Sequence, residues 1–108
     1  MPTQPKTITI WVSGGTVEDN TPVYVFNRST GDRWTVYTKD DGSGMVALVD
    51  LDNINDAGTD PAQWISGQTV EFNVVGVRYG QALLTLSNQS DQEVTITEVT
   101  DDGPALSI

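Results

Sequence analysis

Apolar and polar residues alternate with a period of two along most of the chain, and this pattern leaves little room for anything but β-strands. In the segment from Thr7 to Val12, Ile8, Ile10 and Val12 share one face while Thr7, Thr9 and Trp11 share the other, as in a half-buried strand. Val23 and Val25 alternate with Tyr24 and Phe26, and Trp34 and Val36 with Thr35 and Tyr37. The same period returns at Val70, Phe72 and Val74 and again at Val94 and Ile96. Fourteen Thr, thirteen Val and six Ile make nearly a third of the 108 residues β-branched, the class favoured on pleated surfaces. Seven strands are predicted, over 6–12, 21–27, 33–39, 45–50, 68–76, 79–86 and 92–99.

Turn chemistry separates these runs. Arg28 to Asp32 reads as a five-residue hairpin loop in which Gly31 takes a positive φ, and Asp40 to Gly44 does the same for the next pair, with an Asp41-Gly42 step. The strands at 33–39 and 45–50 are therefore expected to be antiparallel neighbours. Asp60, Pro61 and Gln63 supply the cap, first-turn proline and third-position glutamine of a short helical turn near 60–66. The expectation is an all-β, single antiparallel β-sandwich of about seven strands with immunoglobulin-like or related topology. At this length the chain makes one domain over 1–108, with an extended arm at 1–5 and an apolar-ended tail at 103–108.

Composition then removes whole classes of function. Fifteen acidic residues against five basic ones give a net charge of −10, which repels nucleic acid and anionic lipid alike. With no Cys and no His, thiol nucleophiles, imidazole acid–base chemistry and nearly every zinc site are excluded. No apolar run approaches the roughly 20 residues of a membrane span, and the first residues lack the regions of a secretory signal.

The run Val23-Tyr24-Val25-Phe26-Asn27, followed by Thr30-Gly31-Asp32, Thr38-Lys39-Asp40-Asp41-Gly42-Ser43, Leu48 and Leu51, resembles prealbumin-like β-sandwich modules related to carboxypeptidase regulatory domains. The likeness spans about 23–76. Gly44 and Met45 stand where such modules place an aromatic, and Gly67-Gln68 where they often show Gly-Asp. The resemblance implies a non-catalytic module of the kind found in virion proteins of tailed phages and in microbial surface proteins.

The candidate sites are few. Asp50, Asp52, Asn53, Asn55, Asp56 and Asp60 crowd one connection, but Ile54 breaks the calcium-loop spacing and no distal Glu follows in register. A solvated polar loop without metal is the better reading. The glutamates Glu18, Glu71, Glu93 and Glu98 offer no evident facing pair for glycoside chemistry, which needs two carboxyls about 5–10 Å apart across a cleft. Lys6, Glu71 and Asn88 or Asp101 follow the chain order of an internal isopeptide, against which Lys6 reads as an exposed charge beside Pro5. The sequons at Asn27 and Asn88 imply nothing by themselves.

What remains are contact residues. Trp11, on the Thr face of its strand, either marks a contact surface, closes the sandwich edge or is covered by a terminal arm, whereas Trp34 belongs to the core. Trp11, Trp64, Leu106 and Ile108 are the expected interface residues. The function expected is a structural, non-enzymatic protein without cofactor, a capsid decoration, tail or filament subunit in a virion or extracellular surface assembly. Its expected partner is itself, as a homo-oligomer, or another structural protein. The alternative is a cell-surface adhesion or carbohydrate-binding module.

Overall fold

The computed structural model describes residues 6–13, 17–53, 56, 64–75 and 79–97. Among the described residues, eight strands form two four-stranded sheets: β1 (Thr7–Ser13), β2 (Pro22–Asn27), β3 (Arg33–Tyr37), β4 (Lys39–Asp40), β5 (Met45–Asp50), β6 (Thr69–Val75), β7 (Tyr79–Thr85) and β8 (Asp91–Thr97). One sheet, here sheet A, runs β4-β5-β1-β8, and the other, sheet B, runs β3-β2-β6-β7. Their inward residues interleave as one core that includes Ile8, Ile10, Val23, Val25, Val49, Val70, Phe72, Val74 and Ile96. These are the apolar positions of the period-two pattern, so burial of one face fixes the register of each strand. The described residues contain no helix; 64–66 are irregular, and the rest of the expected turn near 60–66 lies outside them.

The expectation of a purely antiparallel sandwich needs correction, because β1 and β8 pair in parallel, Thr7 opposite Asp91 through Ser13 opposite Thr97. These are the first and last strands. Hairpins force antiparallel pairing only on strands joined by short loops, and here almost the whole chain intervenes. The hairpin expected at Arg28 to Asp32 forms, β2 pairing antiparallel with β3 around Gly31, whose φ is 86°; β6 also pairs antiparallel with β7.

The strand predicted at 33–39 divides at Thr38. Its first part joins β2 in sheet B and its second joins β5 in sheet A, so only Lys39 and Asp40 realise the expected pairing with 45–50. Thr38 is buried at the crossing, where its hydroxyl donates to the Glu18 carbonyl at 2.7 Å and accepts from the Thr21 amide at 3.0 Å. Its backbone amide and carbonyl bond Thr21 and Asn20. Thr38→Val keeps the shape and deletes the hydroxyl, leaving the partly buried Thr21 amide without that acceptor, while the Glu18 carbonyl keeps the Thr21 hydroxyl as a donor at 2.8 Å. The expected loss is about 1–3 kcal/mol in urea unfolding; an unchanged midpoint would mean that the hydroxyl does not hold the crossing.

Candidate functional site

Each sheet turns one face to the core and one outward, and the outward face of sheet B is the more apolar. Tyr24 on β2, Tyr37 on β3, Val75 on β6 and Leu83 on β7 are exposed there at 46%, 57%, 54% and 49%. The pairing sets them on a grid: one row runs Arg33, Phe26, Glu71, Leu83 and the next runs Thr35, Tyr24, Asn73, Gln81. Large apolar side chains gathered on one sheet face, with polar groups between them, make this face the candidate contact surface.

The polar groups between the aromatics hold one another. Glu71 accepts from Arg28 Nε at 2.9 Å, Asn73 Nδ2 at 2.8 Å and Gln81 Nε2 at 3.2 Å, while Tyr79 and Gln81 both donate to Asn73 Oδ1. The Asn73 hydrogen bond, helped by Arg28, keeps the Glu71 carboxyl below its ordinary pKa against the opposing effect of partial burial. The patch is thus a satisfied network rather than a reactive one, since every bond to the carboxylate favours its ionised state. Arg33 lies over the Phe26 ring, 5.8 Å from its centre.

Buried residues behind the patch position its cationic end. Asn27 Oδ1 accepts from the Ser29 and Thr30 amides, and its Nδ2 donates to Gln68. Asp32 and Thr30 bond each other across the loop. The hairpin that carries Arg28 and Arg33 is therefore held from inside the fold. The burial of Asn27 also removes that sequon from reach in the folded chain.

Two grooves flank β3. One, of about 520 Å³, is lined by Tyr24, Val25, Phe26, Arg33, Trp34, Thr35 and Asp56; the other, of about 410 Å³, adds Asp50 and Asn53 to Trp34, Thr35 and Asp56. Trp34 is in the core as expected, and its Nε1–H has no hydrogen-bond acceptor. Asp56 covers part of the β3 edge, its amide donating to the Arg33 carbonyl and its carboxylate accepting from the Thr35 hydroxyl at 2.7 Å. Covering an edge in this way withdraws main-chain groups from pairing with another chain.

The residues expected at an interface fall differently. Trp64 is only 6% exposed and packs in the core, so it offers no contact surface in the isolated chain. Trp11 is half-buried on the outer face of sheet A, where a Cβ placed on Gly44 would stand 3.6 Å from its ring. Glycine at 44 therefore lets the β4–β5 turn lie close to the indole. Leu106 and Ile108 lie outside the described residues, as do Asn55, Asp60, Glu98 and Asp101. Among the described residues no three acidic side chains converge on a point; Asp50 instead accepts from the Asp52 amide and from Asn53.

Lys6 is the residue that sequence reasoning placed least well. It is fully buried, not exposed, and its ammonium donates to the carbonyls of Ser87 at 2.9 Å and Gln89 at 2.6 Å and to Gln92 Oε1. The Trp64 ring lies 4.8 Å away. Glu71, cast as the acid of an isopeptide, is on the outer face of the opposite sheet, so the two do not meet. Compared with protein-family models and with curated proteins, the chain matches none.

Proposed function

We propose that the chain is a non-catalytic structural module of the prealbumin-like kind that assembles through the outer face of sheet B. The observation that carries this reading is the set of exposed apolar side chains at Tyr24, Tyr37, Val75 and Leu83 on one face of one sheet. The prealbumin-like form is favoured over the immunoglobulin one by topology. In immunoglobulin constant domains the first two strands are neighbours in one sheet, whereas β1 and β2 here lie in different sheets. The setting that suits such a module is a virion or a surface lattice, where burial does the work.

Light scattering on the eluting protein at low and high salt tests the reading. With a net charge of −10, free subunits repel one another over a range of about 30 Å at 0.01 M salt and about 8 Å at 0.15 M. Mass per particle should rise with salt and with concentration. A strict monomer at every salt and concentration would remove self-assembly from the account.

A second reading has one specific observation in its favour. The 520 Å³ groove joins two aromatic rings, a guanidinium and a carboxylate around Trp34, whose indole N–H lacks an acceptor. Aromatic faces with a few convergent polar groups suit a polyhydroxylated ligand such as a glycan. That reading expects a stable monomer whose tryptophan fluorescence changes on titration with glycans.

A further inference from the structure

We infer that the partner of the sheet B face is the outer face of sheet A on a second copy of this chain, so that subunits stack front to back. The inference rests on the assembly reading above and adds which surface meets which. Both faces have an apolar middle: Tyr24 and Leu83 on sheet B, and Leu48 beside Val46 and Trp11 on sheet A. Their charges differ: the described charges of sheet A are mostly acidic, whereas sheet B carries a guanidinium without a carboxylate partner. Among the described residues, sheet B and its adjoining hairpin present Arg28 and Arg33 against two acids: Glu71, which Arg28 already binds, and Asp56, whose carboxylate accepts from the Thr35 hydroxyl. Arg33 has no carboxylate partner among the described residues.

The outer face of sheet A presents Asp50, Asp91 and Glu93 against Lys39. The three acids occupy two adjoining rows, Asp50-Thr7-Asp91 and Leu48-Thr9-Glu93, at one end of that sheet. The two arginines likewise sit at one end of sheet B. Setting the arginine end of one copy over the acidic end of the next matches charge to charge and lays apolar surface on apolar surface. Among the described residues, an isologous stack of sheet B on itself offers Arg33 only Glu71 and Asp56, which Arg28 and the Thr35 hydroxyl already engage. In a chain with three times as many acids as bases, the acidic face is the abundant surface and the arginine-bearing face the scarce one. A front-to-back contact of this kind is heterologous, and it propagates into a filament unless its rotation closes a ring.

Charge reversal with cross-mixing tests the pairing at 0.15 M salt. Arg33→Glu makes both faces negative, and Glu93→Lys shifts the sheet A face toward positive while leaving sheet B as it is. Neither residue makes a hydrogen bond through its side chain in the described structure, and far-ultraviolet circular dichroism confirms that each variant is folded. Each alone should assemble at least tenfold more weakly than the wild type by light scattering. An equimolar mixture should recover particles that contain both variants, because each then meets its complement. Wild-type assembly by Glu93→Lys alone, or a mixture that stays monomeric, would overturn the pairing while leaving assembly through sheet B standing. A wild type that never assembles would instead overturn the reading on which the pairing rests.

Discussion

Lys6→Met should lower the unfolding free energy by about 2–4 kcal/mol, a large share of what a domain this size has. The methionine fills the space of the lysine stem and carries no charge, so apolar packing alone would make the change neutral or favourable. What it cannot replace are the donors. The carbonyls of Ser87 and Gln89 lose the ammonium in a partly buried site, although Gln92 Oε1 keeps the Ser87 amide as a donor. The ring of Trp64 loses its cation. Two lost hydrogen bonds to a charged donor at about 1.5–3 kcal/mol each, less the gain from apolar packing of the methionine, account for the figure, which at roughly 4–8 °C per kcal/mol is a readily measured fall in Tm. Burial lowers the Lys6 pKa, with Asp91 acting against it. Between that lowered value and the unfolded chain's 10.5, the unfolded state holds the extra proton, so stability from this group rises with pH. The gap between wild type and Lys6→Met should therefore widen from pH 7 towards pH 10. A variant as stable as the wild type would show that the ammonium does not tie the start of β1 to the β7–β8 loop, and a gap that narrows would show that the carbonyls outweigh burial and raise the Lys6 pKa instead.

Much of the fold was legible because burial imposes a period of two on every half-buried strand. Ile8, Ile10 and Val12, or Val70, Phe72 and Val74, declare both the strand and its inner face, and the predicted ranges fall within two residues of those observed except at 33–39. That exception has a physical reason. Trp34, Val36 and Thr38 keep the same parity through the crossing, so nothing in the alternation records a change of sheet. Parallel pairing of β1 with β8 was equally silent, since it depends on where distant strands meet. Lys6 looked exposed because its partners are main-chain carbonyls more than eighty residues away, which no local pattern encodes. The proposed contact face was half legible: Tyr24 alternates with Val23 and Val25, and so must point outward. Size drew the sequence reading to Trp11 and Trp64, but the core absorbs Trp64 and the β4–β5 turn lies against Trp11.

The second large effect concerns that face. Tyr24→Lys together with Leu83→Lys puts two ammonium groups on the outer face of sheet B without touching the core. Both positions are about half exposed, so folding stability should change by less than about 0.5 kcal/mol per site. Assembly should respond far more strongly. Aromatic anchors at the centre of an interface are typically worth about 2 kcal/mol or more each, and a buried charge without a partner adds a desolvation cost. The association constant is therefore expected to fall by at least about 10³-fold, where 1.4 kcal/mol is tenfold. Ile65→Lys is the control, because Ile65 is exposed on the turn before β6 and stands on neither sheet face. The deciding measurement is mass per particle by light scattering across a concentration series, for the wild type, Ile65→Lys and the double variant in 0.15 M salt. The account predicts multimers for the first two and monomer for the third. A double variant that assembles like the wild type would contradict it.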